Sequence, residues 1–137
     1  MAENTPVCPQ RIRKISGTFA FIEHRFIRNG FFSSLSHQEL LLYVFLVLVG
    51  DRNGVSYYSY DKICTILRIC VNEYLLARNG LIKKDLIAFD GQIFQVLSLP
   101  EHPVIPQRKP LELEEMEQKD PATIHQIIRE SLGKQTL

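Results

Sequence analysis

Apolar positions follow a helical pattern from residue 36 onward, and the first helix is the most apolar stretch of the chain. Ser36 and Glu39 have the spacing of a capping box, in which each side chain accepts a hydrogen bond from the other residue's backbone amide. The box begins a helix containing LLLYVFLVLV, residues 40–49, which is apolar on every side. Such a helix must be covered on every side. We therefore expect an N-terminal flap or a second subunit to lie over it.

Two shorter helices are predicted next. Ser59 is the expected N-cap of a helix from Tyr60 to about Leu67. Cys70 falls where the next helix would normally be capped, but thiols cap poorly, so Asn72 is expected to cap a helix over 72–84. The inward positions of that helix are Tyr74, Ala77, Leu81 and Ile82.

A β-hairpin is predicted around Asp90-Gly91, because this dipeptide supplies the positive φ angles of a two-residue type I′ turn. Such a turn places Phe89 opposite Gln92 and Ile87 opposite Phe94. The expected core face contains Ile87, Phe89, Phe94 and Val96. A short strand over 55–58 is expected to pair with this hairpin. The fold class predicted from the pattern is α+β, mainly helical with a small β-hairpin.

The segment before the first long helix combines basic and aromatic residues. Residues 1–14 are expected to be a flexible basic N-terminus, and 18–22 an edge strand or extended arm. Five of the eight phenylalanines lie between residues 19 and 32. This cluster is either an apolar flap over the helical core or a surface for self-association, which makes a homodimer an expected partner. Its members are Phe19, Phe21, Phe26, Phe31 and Phe32.

Charge divides the chain into a basic part and an acidic part. Residues 1–110 hold 13 Lys and Arg against 9 Asp and Glu, whereas residues 111–137 hold 3 against 6. The boundary between them is a proline-rich linker at 100–110, and 111–137 is predicted to be an acidic helical tail. The mildly basic part is compatible with a polyanionic partner.

Cysteine, histidine and glycine spacing gives no sign of catalysis. The three cysteines form no CxxC pair, and the four histidines have no ligand spacing with them. There is no nucleophile elbow and no phosphate-binding glycine loop. We expect a non-enzymatic protein without cofactor, metal or small-molecule substrate. The absence of a secretory leader and of a 20-residue apolar span predicts a cytoplasmic protein without membrane contact.

Two short helices followed by a hairpin is the order of a winged helix-turn-helix. The series Ser36-x-x-Glu-Leu, Gly54-Val-Ser, Tyr60-Asp-Lys-Ile, Glu73-Tyr and Lys83-Lys-Asp-Leu-Ile resembles the winged-helix N-terminal domains of bacterial replication initiators, including the DnaD-like group. The segment ARNGLIKKDLIAFDGQIFQVLSLP is similar to small winged-helix proteins of bacterial insertion elements. The resemblance covers about residues 15–100.

The resemblance implies double-stranded DNA binding through helix 72–84, in replication initiation or transposition. The outward residues of that helix fit this role: Asn72 and Asn79 near bases, and Lys83 and Lys84 on phosphate. Further charge would come from Arg68 and Arg78, with Arg11, Arg13 and Lys14 in the N-terminal arm.

One departure favours a different function. Residues 86–100, which include the wing, contain no Lys or Arg, so the wing brings no positive charge to phosphates. The alternative function is therefore a protein–protein interaction module with the same fold, which contacts its partner through the aromatic N-terminal segment and the terminal helix.

Overall fold

The computed structural model describes residues 5–104. Within this range the chain is mainly helical with one small antiparallel sheet, as the sequence predicts. The helices are α1 (Arg25–Arg28), α2 (His37–Val49), α3 (Tyr60–Leu67) and α4 (Val71–Lys83), and the strands are β1 (Val55–Ser56), β2 (Ile87–Phe89) and β3 (Phe94–Val96). Short 3-10 turns lie at Pro9–Arg11 and Phe32–Ser34. The acidic tail and most of the proline-rich linker lie outside the described residues.

The three strands are ordered β1-β3-β2, so the last strand lies in the middle of the sheet. The predicted strand after α2 pairs with the hairpin, but the hairpin register differs from the prediction by two residues. Phe89 lies opposite Phe94 and Ile87 lies opposite Val96. Because side chains alternate with a period of two, this shift leaves the predicted core face intact. Ile87 and Phe94 are buried, and the rings of Phe89 and Phe94 stack with centroids 4.3 Å apart.

The prediction of a type I′ turn was wrong, because the Asp90 side chain accepts hydrogen bonds from backbone amides of the loop. Its carboxylate Oδ1 accepts hydrogen bonds from the amides of Gln92 at 2.9 Å and Ile93 at 2.7 Å. Gly91 has a φ of 103°, whereas Asp90 is not among the residues with positive φ. The hydrogen bonds from Ile93 and Gln92 lower the pKa of the Asp90 carboxyl. The loop is therefore stabilised at neutral pH, and this contribution is lost as the pH falls through the depressed pKa.

The capping box at the start of α2 is confirmed, and its glutamate also joins α2 to the end of α4. The amide of Ser36 donates to Glu39 Oε1 at 2.8 Å, and the amide of Glu39 donates to Ser36 Oγ at 3.2 Å. The same carboxylate oxygen lies 2.5 Å from Lys84 Nζ. A Cβ added at Gly80 would overlap Glu39 Oε2 and lie 2.9 Å from its Cδ. Glycine at position 80 therefore permits this approach of α4 to α2.

Helix α4 begins earlier than predicted, because Cys70 does cap it. The Cys70 thiol accepts from the amide of Glu73 at 3.5 Å, and the Cys70 amide donates to Glu73 Oε1 at 3.0 Å. Hydrogen bonds from Cys70 and from the Gln38 side chain lower the pKa of Glu73. The expectation that Asn72 caps the helix was wrong. The reciprocal bond from Glu73 compensates for the weak sulfur acceptor.

The N-terminal segment forms no strand at 18–22 and is joined to the opposite end of the described chain. Arg25 donates to the carbonyl oxygens of Leu99 at 2.8 Å and Pro100 at 2.9 Å. Phe26 stacks on Tyr43 of α2 with a centroid distance of 4.9 Å. This side of α2 is thus covered from within the chain.

Candidate functional site

The outward face of α4 carries one straight stripe of side chains. Asn72, Leu76, Asn79 and Lys83 are spaced four, three and four residues apart, which places them on one side of a helix. Asn72, Leu76 and Lys83 are exposed, and Asn79 is half-buried. We call these four residues the α4 stripe. The structure therefore brings together three of the predicted DNA contacts, with Leu76 between them.

The orientation of the stripe follows from what the other side of α4 buries. Tyr74, Ala77 and Leu81 are each no more than 1% exposed, and Leu75 is buried beside them. The predicted inward residue Ile82 is only partly buried. Because α4 is held by its apolar face and by its N-terminal capping box, the stripe faces solvent without being part of the core.

Arg78 lies in the interior rather than on the predicted DNA-binding surface. It is 0% exposed. Its guanidinium carbon lies 5.0 Å from the ring centroid of Phe89 and 5.6 Å from that of Tyr74. Two of its nitrogens donate to Asn79 Oδ1, at 3.1 and 3.0 Å. The guanidinium therefore stabilises the packing of α4 on β2, and in this conformation no phosphate can reach it.

The same hydrogen bonds affect Asn79. Bidentate recognition of adenine requires both the oxygen and the nitrogen of the side-chain amide. Since Asn79 Oδ1 already accepts hydrogen bonds from Arg78, Asn79 is less suited to this contact than the exposed Asn72.

Lys83 and Lys84 are adjacent in sequence but have different environments. Lys83 is exposed at the end of the stripe. The Lys84 side chain is only 16% exposed, and its ammonium donates to Glu39 and to the carbonyl oxygen of Ser34 at 2.7 Å. The charge of Lys84 is thus neutralised within the fold. Only Lys83 of this pair offers a cation to an external ligand.

Arg68 lies in the connection between α3 and α4. It is exposed and has left-handed backbone angles, with φ 57° and ψ 47°, at the C-cap of α3. This conformation ends α3 and allows the chain to turn into α4 within three residues. Lys62, an exposed cation on α3, was not among the predicted contacts. In so short a helix, the spacing of apolar residues alone did not predict that the Lys62 side chain is exposed.

The loop between β2 and β3 is unsuited to bind phosphate. It contains the Asp90 carboxylate, whose depressed pKa keeps it negatively charged at neutral pH. Residues 86–100 supply no cation to offset this charge. Any polyanion bound at the α4 stripe is therefore not held by this loop.

Comparison with known proteins finds no matching family model, curated protein or solved structure. Across residues 5–104, no helix combines the length and apolar character needed to cross a membrane. The same stretch has no group of three or more His, Cys, Asp or Glu side chains placed to bind a metal ion.

The five phenylalanines predicted as an oligomer interface divide into two groups. Phe26 and Phe31 are 4% and 1% exposed and belong to the core of the same chain. Phe19, Phe21 and Phe32 are 67%, 76% and 43% exposed. The flap interpretation therefore describes the first group, and only the second group is accessible to a partner.

An open groove of about 710 Å³ separates the N-terminal segment from α2 and the sheet. It is lined by residues 18–23, by Tyr43 and Val47 of α2, and by the loop 50–54. Burial, and to a lesser extent the nearby Glu23 carboxylate, raises the pKa of Tyr43. The Tyr43 hydroxyl is consequently neutral at physiological pH and gives the groove no charge.

Proposed function

We propose that this chain is a winged helix-turn-helix protein that binds double-stranded DNA through the α4 stripe. The order helix, strand, two helices and two strands supports the fold, together with a sheet in which β3 lies between β1 and β2. The observation that carries the function is the stripe itself. The second helix of the pair presents amide and cationic side chains in one line, away from the core.

Each exposed residue of this surface has a defined chemical role. Asn72 makes paired hydrogen bonds with an adenine edge, and Leu76 packs on a thymine methyl group in the major groove. Lys83 binds a phosphate at one end of the stripe, and Arg68 binds another near the start of α4. The sequence resemblance supports a role in replication initiation or in the regulation of a mobile element.

The expected affinity is modest and its dependence on salt is shallow, because few cations are exposed on this surface. Each neutralised phosphate contributes about 0.9 to the slope of log K against log salt concentration. Lys83 and Arg68 together give a slope near −2. The exposed arm residues Arg11, Arg13 and Lys14 make the slope steeper if they follow the DNA backbone.

Lys83→Ala is expected to reduce this slope by about one unit, whereas Lys84→Met leaves it unchanged. The two lysines are neighbours of equal charge, but only Lys83 is exposed. Fluorescence anisotropy of a labelled duplex across a salt series measures both slopes. Circular dichroism confirms that each variant is folded. Identical slopes for the wild type and Lys83→Ala would show that Lys83 does not contact a phosphate in the complex.

A protein–protein interaction module is the second candidate. It is favoured by the absence of Lys and Arg from the wing and by the exposed Phe19 and Phe21. If the chain is such a module, DNA binding is expected to be weak and without sequence preference. Substitutions in the α4 stripe are then expected to leave the affinity for DNA unchanged.

A further inference from the structure

The groove beside the N-terminal segment is apolar, and residues 5–104 leave it open. Phe19 and Phe21 line one wall and are 67% and 76% exposed, and Tyr43 and Val47 of α2 line the other. No backbone hydrogen bond joins residues 18–22 to another part of the described chain. A concave apolar surface of this kind is typical of an interaction site.

The described part of the chain ends next to this groove. Leu99 lines the groove, and Arg25 holds the carbonyl oxygens of Leu99 and Pro100. A Cβ added at Gly30 would lie 3.8 Å from Cγ of Pro103. The residues after 104 therefore begin beside the groove. A segment tethered so closely has an effective concentration on the order of millimolar, which favours it over an untethered partner.

The sequence of the acidic tail, residues 111–137, supplies a matching apolar surface. Asp120-Pro121 has the pattern of an N-cap and first helical residue. The helix that follows carries aliphatic side chains at positions i, i+3, i+4 and i+8, which share one side. We call these residues the tail stripe: Ile124, Ile127, Ile128 and Leu132. An amphipathic helix of this kind binds an apolar groove through that side.

The volume of the groove agrees with the number of side chains in the tail stripe. An apolar cavity of about 150 Å³ holds one benzene molecule. The groove measures about 710 Å³ and therefore has room for about four groups of that size. The tail stripe has four aliphatic side chains.

Charge favours the tail as the occupant. Residues 5–17, which precede the groove wall, contain three basic residues and no acidic one, and all three are exposed: Arg11, Arg13 and Lys14. Residues 111–120, which precede the tail stripe, contain five acidic residues and one basic. The two charged runs thus have opposite signs and the same position relative to the apolar surface that follows each of them.

The charges at the groove itself also complement those of the tail helix. The groove is lined by two carboxylates, Glu23 and Asp51, and by one cation, Arg52. Residues 121–137 contain two basic residues and one acidic. The side chains that flank the tail stripe therefore meet a rim of the opposite net charge.

We propose that the acidic tail docks on its own chain, with the tail stripe in the groove and the acidic run along the basic N-terminal segment. The docked helix covers Phe19 and Phe21. The aromatic N-terminal segment and the terminal helix, which an interaction module would offer to a partner, then occupy each other. This inference is independent of DNA binding, because the α4 stripe does not line the groove.

The first test is an NOE measurement on the full chain labelled at the isoleucine δ1 methyl groups. The isoleucines of the tail stripe are expected to give cross-peaks to the ring protons of Phe19, Phe21 and Tyr43. Cross-peaks from these methyl groups to none of the three rings overturn the proposal, whether the tail contacts another surface or solvent.

The same experiment distinguishes docking within one chain from exchange of tails between two copies. In an equal mixture of labelled and unlabelled chains, an isotope-filtered spectrum retains only contacts between copies. We expect that spectrum to lack the cross-peaks between the tail stripe and the groove. Their presence would show that a second copy supplies the tail, and it would contradict docking within the chain.

A pair of double variants in the tail tests the role of the stripe. Ile124→Glu/Ile128→Glu is expected to lower the docking equilibrium constant by roughly a thousandfold, because it removes two buried aliphatic side chains and adds carboxylates to an apolar groove. Thr123→Glu/Gln126→Glu is the matched control. It adds the same two charges on the opposite side of the predicted helix and is expected to leave the tail docked.

The amide NMR signals of Val47, Gly54 and Val96, which line the groove, report on docking in both variants. They are expected to shift from their wild-type positions in the stripe variant and to remain in place in the control. Wild-type signals at these positions in the stripe variant, or equal shifts in both variants, would overturn the proposal.

Discussion

Glu39→Ala is expected to lower the free energy of unfolding by about 2 to 3 kcal/mol. Glu39 is 7% exposed and has two functions in the fold. Its carboxylate accepts the amide of Ser36 at the start of α2, and it neutralises Lys84 at the end of α4. Removal of the carboxylate leaves the Lys84 ammonium in a largely buried site with only the carbonyl oxygen of Ser34 as partner.

Urea denaturation of the wild type and variant measures this loss. Glu73→Ala is the matched control, because Glu73 occupies the same position in the capping box of α4 but forms no ion pair with a buried lysine. It is expected to cost clearly less. Equal losses for the two variants would show that the ion pair with Lys84 contributes nothing beyond the capping box.

Arg78→Ala is expected to lower the free energy of unfolding by about 3 kcal/mol, because it leaves a cavity between Tyr74 and Phe89. Arg78→Met fills most of that space with an apolar chain and is expected to change stability by less than about 1 kcal/mol. Thermal or urea denaturation distinguishes the two.

The variant Arg78→Met also tests the placement of Arg78 away from DNA. Arg78→Met removes a positive charge, yet the salt slope of duplex binding is expected to remain that of the wild type. A slope reduced by about one unit would mean that Arg78 reaches a phosphate. That result would contradict its buried position.

The elements that were predicted correctly are those that depend on local sequence signals. The bounds of α3 and the capping box at Ser36 were predicted correctly, because helical period and caps depend on residues within one or two turns. Ser59 lies at the predicted N-cap position of α3, but its side chain makes no capping hydrogen bond. The core face of the hairpin was also correct, since a shift of two residues preserves the side on which each residue lies.

The errors arose where a side chain found a partner that spacing does not reveal. The Asp90 carboxylate accepts hydrogen bonds from two backbone amides of its own loop, and the loop therefore differs from the predicted type I′ turn. Lys84 pairs with Glu39, 45 residues earlier, and Arg78 packs on the ring of Phe89 in another element. Both cations were therefore assigned to DNA by charge alone. Gly80 faces Glu39 of another helix, a contact that spacing along the chain also does not reveal.

The most direct test of DNA binding by α4 is a titration of the isotope-labelled full chain with a duplex at low salt, followed by amide NMR. We predict that the signals of Arg68, Asn72, Leu76 and Lys83 shift progressively, and that those of the β2–β3 loop do not. Unchanged α4 signals at saturating duplex, or shifts confined to the N-terminal segment, would contradict the proposed interface.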